Sequence, residues 1–155
     1  MKLTLGFSPC PNDTFIFDAL VNGRIDTEGL EFDYKLADVE ELNHRAFRGE
    51  ADITKISCHA FPFAANNYLI LDSGSALGYG NGPLLVAKPG FDTLKMNSSV
   101  IAIPGKYTTA NLLFSIAWPG AVNKKEYLFS DIVDVILSGK ADAGRRVHGF
   151  EHVFG

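Results

Sequence analysis

The sequence predicts an α/β fold with two lobes, and two observations lead to this prediction. The order strand, loop, helix, strand, helix, strand occurs once before and once after the segment Lys88-Pro89-Gly90. Each copy has a related motif between its last helix and its last strand, Gly-Glu-Ala-Asp at residues 49–52 and Gly-Lys-Ala-Asp at residues 139–142. Chance easily produces Gly-x-Ala-Asp after a helix, so it is the agreement of the whole element order that favours a repeated βαβαβ unit.

The first copy is predicted from hydrophobic periodicity and from helix-end signals. Alternating apolar residues at 30–36 follow a helix that Gly23 ends, and Asp38 with Glu41 forms a capping box for the next helix. Pro62 predicts that the helix after the third strand is short or broken. The predicted strands are residues 2–7, 30–36, 53–57, 68–72 and 83–87, and the predicted helices are residues 13–21, 38–47 and 58–66.

The second copy follows a predicted hinge at residues 88–98. Its predicted strands are residues 100–103, residues 126–129 and a strand that begins near Asp142, and its predicted helices are residues 109–118 and 130–137, the latter capped by Ser130. The predicted domains are a first lobe at residues 1–87, the hinge, and a second lobe at residues 99–155. Far fewer residues follow the third strand in this copy than in the first, so we expect an incomplete second lobe.

Composition and charge argue against several classes of protein. The hydrophobic content of 46% is typical of a globular chain, and the net charge of −4 argues against nucleic-acid binding. No apolar run reaches membrane-spanning length and the N-terminus lacks the pattern of a secretory signal, so we expect a cytoplasmic protein. Cys10 and Cys58 lack the spacing of a metal site and suit a reducing compartment, with a disulfide between them as the alternative.

The repeat predicts where a ligand would bind. In parallel sheets the loops at the carboxyl ends of the strands share one edge, and in a two-lobed protein they would line a crevice between the lobes. Closure of such a crevice would exclude water from a small molecule. The loops in question are residues 8–14 and 104–110, after the first strands, and residues 55–59 and the segment around His148, after the third strands.

The loop at residues 8–15 reads Ser-Pro-Cys-Pro-Asn-Asp-Thr-Phe and opens a helix. Two prolines stiffen this loop, and Asn12 and the two residues after it offer cap side chains beside the free N–H groups of the helix. Such a turn can hold a small polar or anionic ligand. The alternative is an ordinary strand-to-helix connection that happens to be rich in proline.

The loop at residues 104–110 offers hydroxyl groups. Thr108, Thr109 and Ala110 open a helix, so their hydroxyl and N–H groups can bind a carboxylate, and simple capping by one threonine is the alternative. The Gly-Lys dipeptide before them is not part of a phosphate-binding P-loop, because a tyrosine follows it where serine or threonine is required. This excludes nucleotide binding of that kind.

Lys55 and Ser57 flank Ile56 at the end of a strand that should be buried. The Lys55 ammonium therefore either reaches solvent or meets an anion in the crevice.

The histidines are candidates for a general base. His148 lies in the segment after the third strand of the second copy and is one candidate. His59 either lines the crevice or caps a helix. His44 is expected on the surface, and His152 is assigned no role.

Five motifs stand in a distinctive order along the chain. They are the proline-rich loop at residues 8–15, Lys55-Ile56-Ser57, Gly78-Tyr79-Gly80 with Gly-Pro-Leu-Leu at residues 82–85, Gly-Lys-Tyr-Thr-Thr-Ala at residues 105–110, and Asp142-Ala143-Gly144. Together they resemble the 1,4-dihydroxy-6-naphthoate synthase family of the futalosine route to menaquinone. The resemblance runs from Met1 to about Gly144. Family members continue well beyond residue 155, so we expect a C-terminally truncated member.

The resemblance implies a fold and an activity. The fold would be similar to that of type II periplasmic binding proteins. The activity would be that of a cytoplasmic lyase that converts cyclic de-hypoxanthine futalosine, a small-molecule substrate, to 1,4-dihydroxy-6-naphthoate without a metal or an organic cofactor. A histidine base would remove a proton, and the three-carbon remnant of the ribose would leave.

The resemblance also implies site residues. The family's catalytic histidine matches His148, and its substrate contacts match Lys55, Ile56, Ser57, Thr109 and Ala110. Thr108, which precedes Thr109, and Asn12, in the loop at residues 8–14, join them as candidates.

The chain departs from the family pattern after the Asp-Ala-Gly motif. The family continues with an apolar strand and His-Glu, whereas here Arg145 and Arg146 precede Val147-His148-Gly149, which lacks the glutamate. Two further interpretations stay open, a non-catalytic solute-binding domain of the same architecture and an inactive truncated remnant. Neither a nucleic-acid nor a membrane partner is expected, and the sequence does not predict the oligomeric state.

Overall fold

The computed structural model describes residues 1–76 and 84–146, and only the backbone of residues 145 and 146. The described residues fall into two compact units, residues 1–76 and residues 84–146. The Gly78-Tyr79-Gly80 motif, Gly82-Pro83 and the candidate base His148 lie outside the described residues. No helix within the described ranges has the length and apolar character that crossing a membrane requires.

The first unit contains a three-stranded parallel sheet. Its strand order is β2-β1-β3, with β1 in the centre and in parallel pairing with both neighbours. The elements are β1 Lys2–Phe7, α1 Pro11–Val21, β2 Glu31–Leu36, α2 Val39–Phe47, β3 Ile53–Thr54 and α3 Phe61–Ala64.

Helices pack against both faces of this sheet. Side chains alternate between the faces of a strand, so Phe7 and Gly6 of β1 point to opposite sides. The Phe7 ring lies 4.9 Å from that of Phe17 on α1. On the other face, a Cβ atom at Gly6 would lie 3.0 Å from Leu42 Cδ2 and 2.9 Å from Thr54 Oγ1. The missing side chain at Gly6 is therefore what lets α2 approach the sheet.

The second unit contains a four-stranded mixed sheet with the order β4-β7-β5-β6. Strand β5 pairs in parallel with β6 and β7, and β4 is antiparallel to β7. The elements are β4 Leu84–Ala87, a 3₁₀ helix Thr93–Ser98, β5 Ile101–Ile103, α4 Thr109–Ala117, β6 Lys124–Glu126, a 3₁₀ turn Phe129–Asp131 that leads into α5 Ile132–Leu137, and β7 Ala143–Arg146.

The core of the second unit lies on both faces of β5. Ile101 and Ile103 belong to one apolar cluster with Phe114 of α4, whereas Ala102 belongs to another with residues of α5 such as Ile136. All three β5 residues are at most 3% exposed. A strand covered by helices on both faces has no polar side, which explains why this segment is apolar at every position.

The two units share one topology. In each, the first strand of a βαβαβ sequence lies between the second and the third, as β2-β1-β3 and β6-β5-β7. The registers correspond, since Leu5 pairs with Ile53 and Ile101 pairs with Ala143. The sequence predicted this repeat.

The repeated aspartates make equivalent hydrogen bonds. Asp52 Oδ2 accepts the backbone N–H of Thr4 at 2.7 Å, and Asp142 Oδ2 accepts that of Val100 at 2.7 Å. In each unit a carboxylate just before the third strand thus binds the first strand. The related motif reflects a common means of holding two parallel strands together.

The boundary between the units differs from the predicted one. The sequence assigned residues 83–87 to the first lobe and residues 88–98 to a hinge. In the structure β4 pairs with β7 of the second unit. The segment after it forms the 3₁₀ helix, which Asp92 caps, and Met96 in that helix is 1% exposed in the core of the same unit. Pairing with a distant strand assigns β4 to the second unit, and the local Lys-Pro-Gly signal carries no information about that pairing.

Three predicted elements around the third strand are shorter or absent. Strand β3 covers residues 53–54 because the Ser57 N–H donates to the Asn43 side chain at 2.9 Å and not to a strand. The helix predicted at 58–66 is limited to Phe61–Ala64. Residues 68–72 do not form the predicted strand, and Leu69 in that segment is 90% exposed.

Two predicted boundaries in the second unit also change. Strand β6 covers Lys124–Glu126 rather than 126–129, because these residues are the ones that pair with β5. Ser130 does not cap α5, since its hydroxyl donates to the Asp131 side chain within the 3₁₀ turn. The turn itself leads the chain into the helix.

Candidate functional site

A buried aspartate closes the proline-rich loop at the carboxyl end of β1. Both the N–H and the hydroxyl of Ser8 donate to Asp13 Oδ2, at 3.0 and 2.8 Å. Asp13 is 7% exposed and lies in the first turn of α1, where the helix dipole favours a negative charge. The loop is therefore folded around an anion of its own chain.

The predicted cap residues of α1 have other roles. The N-cap position is Cys10, which makes no side-chain capping bond, and the Thr14 hydroxyl donates back to the Cys10 carbonyl at 3.1 Å. Asn12 is half-buried in the first turn, and no hydrogen bond of its side chain to the described residues is recorded. Of the three predicted cap residues, Asn12 is the one for which no side-chain hydrogen bond within the described residues is recorded.

Lys55 meets an anion, and that anion is Asp13. Lys55 Nζ lies 3.5 Å from Asp13 Oδ1 and donates to the Gly74 carbonyl at 2.8 Å. The Lys55 and Asp13 side chains are 21% and 9% exposed, so the pair is largely removed from water. The lysine thus joins α1 to the loop that carries Gly74.

Ser57 is held by a buried amide that the sequence did not nominate. Asn43 on α2 is fully buried, and its Oδ1 accepts the Ser57 N–H at 2.9 Å. Its Nδ2 donates to Ser57 Oγ at 3.3 Å and to Glu40 Oε2 at 2.9 Å. Polar residues three apart on a helix usually indicate a solvent-facing side, so nothing in the sequence distinguished Glu40 and Asn43 from surface residues.

The remaining groups near this edge of the first sheet are aromatic or exposed. The rings of His59 and Phe63 are 6.0 Å apart in an edge-on arrangement. His44, expected on the surface, is 44% exposed, and its Nε2 lies 3.8 Å from Glu40 Oε1. Cys10 and Cys58 are exposed free thiols, so the alternative of a disulfide between them is wrong.

In the second unit, Thr108 is the N-cap of α4. Its Oγ1 accepts the Asn111 N–H at 3.3 Å and donates to the Gly105 carbonyl at 2.8 Å, and the residue is 3% exposed. Capping therefore accounts for the bond from Asn111, and the bond to Gly105 holds the preceding loop. Thr109 is half-buried and Ala110 is buried in the first turn of the helix.

The structure brings together only part of the predicted site. Lys55 and Ser57 follow β3, at the edge of the sheet where the carboxyl ends of β1 and β3 lie. Lys55 is beside Asp13, and Ser57 is beside Asn43. Thr108, Thr109 and Ala110 belong to the second unit at the equivalent position after β5, and His148 lies outside the described residues.

The fold places the chain in a broad class, the proteins with the periplasmic-binding-protein type II fold. A truncated arginine-binding protein of T. maritima matches with a TM-score of 0.61 and 15% identity, over 96% of this chain and 74% of that chain. An L-cysteine solute receptor of Neisseria gonorrhoeae matches with a TM-score of 0.56 and 16% identity, over 94% of this chain and 63% of that chain. At such low identity these likenesses show the fold alone.

The chain belongs to the menaquinone biosynthesis family, whose model matches residues 3–149. It is 42% identical over 146 residues to a 1,4-dihydroxy-6-naphtoate synthase of Thermus thermophilus, and 37% identical over 152 residues to one of Streptomyces coelicolor. Each alignment covers 94% of this chain and 52% of the relative, so the chain spans about half their length. A crystal structure from Archaeoglobus fulgidus matches with a TM-score of 0.87 and 37% identity, over 95% of this chain and 54% of that chain.

Proposed function

We propose that the protein is a lyase that converts cyclic de-hypoxanthine futalosine to 1,4-dihydroxy-6-naphthoate in menaquinone biosynthesis. The observation that supports this most is the similarity to relatives named as synthases of that product, in alignments that cover 94% of the chain. The family match at residues 3–149 includes both predicted contact segments and His148. The exposed free thiols of Cys10 and Cys58 suit the cytoplasm, where we place the reaction.

In this proposal the candidate substrate contacts are residues 55–57, Thr109 and Ala110. His148 is the general base that removes a proton, after which a carbon–carbon bond breaks and the three-carbon remnant leaves. Neither a metal nor an organic cofactor takes part. Asn12 and Thr108 are further candidates for substrate contact.

The Lys55 side chain has a supporting role in this scheme. Its ammonium already faces the Asp13 carboxylate and the Gly74 carbonyl. Substrate contact at residues 55–57 is therefore assigned to the main chain and to the Ser57 hydroxyl. The lysine holds the loop around Asp13 in position.

The test is an activity assay of the purified chain with cyclic de-hypoxanthine futalosine, with chromatographic detection of 1,4-dihydroxy-6-naphthoate. We expect turnover that persists with a chelator present, and a loss of about 100-fold or more in kcat for His148→Asn. His152→Asn is the matched control and should keep its activity.

Equal losses in the two histidine variants would contradict the role of His148. Absence of product from the unaltered chain would contradict the proposed activity. Binding of arginine or cysteine without turnover would favour the solute-binding interpretation instead.

A further inference from the structure

We infer that Asn43, held in place by Glu40, is a positioning residue that makes Ser57 a hydrogen-bond donor toward a carboxylate group of the ligand. The inference rests on the proposed function in one respect, because it takes residues 55–57 as a place where the ligand binds. It goes further by assigning a role to two buried side chains and by naming the chemical group that they select.

The hydrogen-bond network determines the orientation of the Asn43 amide. Its oxygen faces the Ser57 N–H at 2.9 Å, and its nitrogen faces Glu40 Oε2 at 2.9 Å. A flipped amide would set two donors against each other at Ser57 and two acceptors against each other at Glu40. Glu40 therefore fixes which end of the amide reaches the Ser57 hydroxyl.

This orientation determines the direction of the Ser57 hydroxyl proton. Asn43 Nδ2 lies 3.3 Å from Ser57 Oγ, and an amide NH₂ group can only donate. Ser57 Oγ is therefore the acceptor in this contact, and its own proton must point elsewhere. Among the described residues no acceptor for that proton is recorded. The hydroxyl is left as a donor for a ligand.

A second donor lies next to it in the chain. The N–H groups of the residues on either side of Ile56 are occupied, since Lys55 donates to the Gly6 carbonyl at 2.8 Å and Ser57 to Asn43. No acceptor in the described part of the chain is recorded for the Ile56 N–H, and the residue is half-buried. Two donors on consecutive residues suit the two oxygens of a carboxylate, whereas a cationic group would find only the second lone pair of Ser57 Oγ as an acceptor in this pair.

The repeat indicates that the fold does not require the buried amide. Asn43 stands six residues before Gly49, and the residue six before Gly139 in the second unit is Val133. The same helix of the same βαβαβ unit thus forms with an apolar residue at this position. A buried amide and a buried carboxyl group are costly unless they are hydrogen-bonded. The first unit retains both, which is the expected pattern for a functional arrangement.

The experiment is a double-mutant cycle on ligand binding with the full chain. The probe is 2-naphthoate, and 2-naphthylmethanol is the matched ligand without a carboxylate, both titrated by calorimetry. We expect Ser57→Ala to weaken 2-naphthoate binding about tenfold, as for loss of a hydrogen bond to a charged group. Asn43→Ala should weaken it to a similar extent. In the double variant, Asn43→Ala should add little to the effect of Ser57→Ala.

A matched control separates positioning from a general effect on folding. Asn66→Ala removes an exposed amide of the same unit and should leave binding unchanged. A purely structural role for Asn43 would give the same loss of affinity with and without the Ser57 hydroxyl. That additive result would overturn the inference, as would a failure of the unaltered chain to bind 2-naphthoate more tightly than 2-naphthylmethanol.

A second measurement applies if Asn43→Ala does not fold. In amide NMR spectra the two side-chain hydrogens of Asn43 should be resolved, and Ser57→Ala should shift mainly the one that faces Ser57. Unshifted resonances would contradict the contact. If the effects of Ser57→Ala and Asn43→Ala on 2-naphthoate binding are non-additive but the chain shows no turnover, the proposed function alone is refuted. If the chain shows turnover but the two effects are additive, this inference alone is refuted.

Discussion

At the scale of single residues, Asp52 shows how one carboxylate can hold two strands. Its Oδ2 accepts the N–H and the hydroxyl of Thr4, each at 2.7 Å, and its own N–H donates to Thr4 Oγ1 at 2.9 Å. The backbone hydrogen bond from Thr4, followed by the one from its hydroxyl, lowers the pKa of Asp52 below its ordinary value. The charged form is therefore favoured in the folded chain.

This lowered pKa predicts an acid dependence of stability that Asp52→Asn should reduce. A carboxyl group with a lowered folded-state pKa stabilises the fold above its unfolded pKa of about 4, and that contribution is lost as the pH falls through the folded pKa. We expect the urea midpoint of the unaltered chain to fall more steeply below about pH 4 than that of Asp52→Asn. Asp72→Asn, at an exposed position for which no hydrogen bond to described residues is recorded, is the control. Identical pH profiles for all three chains would contradict the prediction.

The sequence predicted part of the candidate site at this scale. Lys55 and Ser57 were identified because parallel strands place their carboxyl ends at one edge. Their partners Asp13 and Asn43 were not identified as such, since each lies on a helix that only the folded chain brings next to the strand end. The anion that Lys55 meets could therefore be expected as a type of group, but not assigned to a residue.

At the scale of elements, both units end their second helix in the same way. Gly49 and Gly139 have φ values of +67° and +78°, a conformation that other residues seldom adopt. The N–H of the following residue reaches back into the helix, from Glu50 to the Arg45 carbonyl at 3.1 Å and from Lys140 to the Val135 carbonyl at 3.0 Å. This pattern terminates each helix and turns the chain toward its third strand.

Two glycines near the end of the second unit should respond differently to substitution. Gly139→Ala should lower the free energy of unfolding by about 1 kcal/mol through its positive φ alone, and Gly139→Asn by less. Gly144→Ala should lower it by about 1–3 kcal/mol, because the added Cβ would lie 2.8 Å from Ile132 Cγ2 and 3.0 Å from the Ala102 carbonyl oxygen. Urea denaturation of the three variants provides the measurement. A smaller loss for Gly144→Ala than for Gly139→Ala would contradict the packing argument.

Elements with strong local signals were predicted well. Strand β1 matches its predicted residues 2–7, and α2 starts after the Asp38 cap, whose side chain accepts the Glu40 N–H. The largest differences are at residues 68–72, where an apolar run forms no strand, and at residues 84–98, which belong to the second unit. Neither the apolar run nor the Lys-Pro-Gly segment carries information about pairing with a distant strand.

At the scale of the whole molecule, the two units differ in how their cores are built. In the second unit, two apolar clusters cover β5 on both faces. In the first unit, Tyr34 and Leu36 of β2 remain 45% and 51% exposed, and Leu69 is 90% exposed. Local stability follows buried apolar contact, so it should not be uniform along the chain.

Hydrogen exchange followed by mass spectrometry should show this difference. We expect backbone amides of β5 to exchange at least about tenfold more slowly than those of residues 68–72, because the former are buried in a sheet and the latter are exposed. Peptides from β1, which is central in its own sheet, are the internal reference. Equal exchange rates in β5 and residues 68–72 would contradict the expectation.

The overall architecture could be predicted from the sequence because the repeat is visible in the order of its elements. The Gly-x-Ala-Asp motif then turned out to have a physical basis in the two aspartate hydrogen bonds. The boundary between the units could not be predicted, since β4 joins the second sheet by pairing with a strand far along the chain.

The shared helix end has a consequence for mutational tolerance. Between the glycine that needs a positive φ and the aspartate that binds the first strand, the two copies carry Glu50 and Lys140, both exposed and of opposite charge. Neither side chain is needed for the turn, which uses only their backbone N–H groups. A map of tolerated substitutions along the chain should therefore contain the same profile twice. In each copy the glycine and the aspartate should resist replacement, and the charged residue that directly follows the glycine should tolerate it. The duplication would then be measurable from the frequencies of variants that survive selection in a substitution library, without any knowledge of the fold.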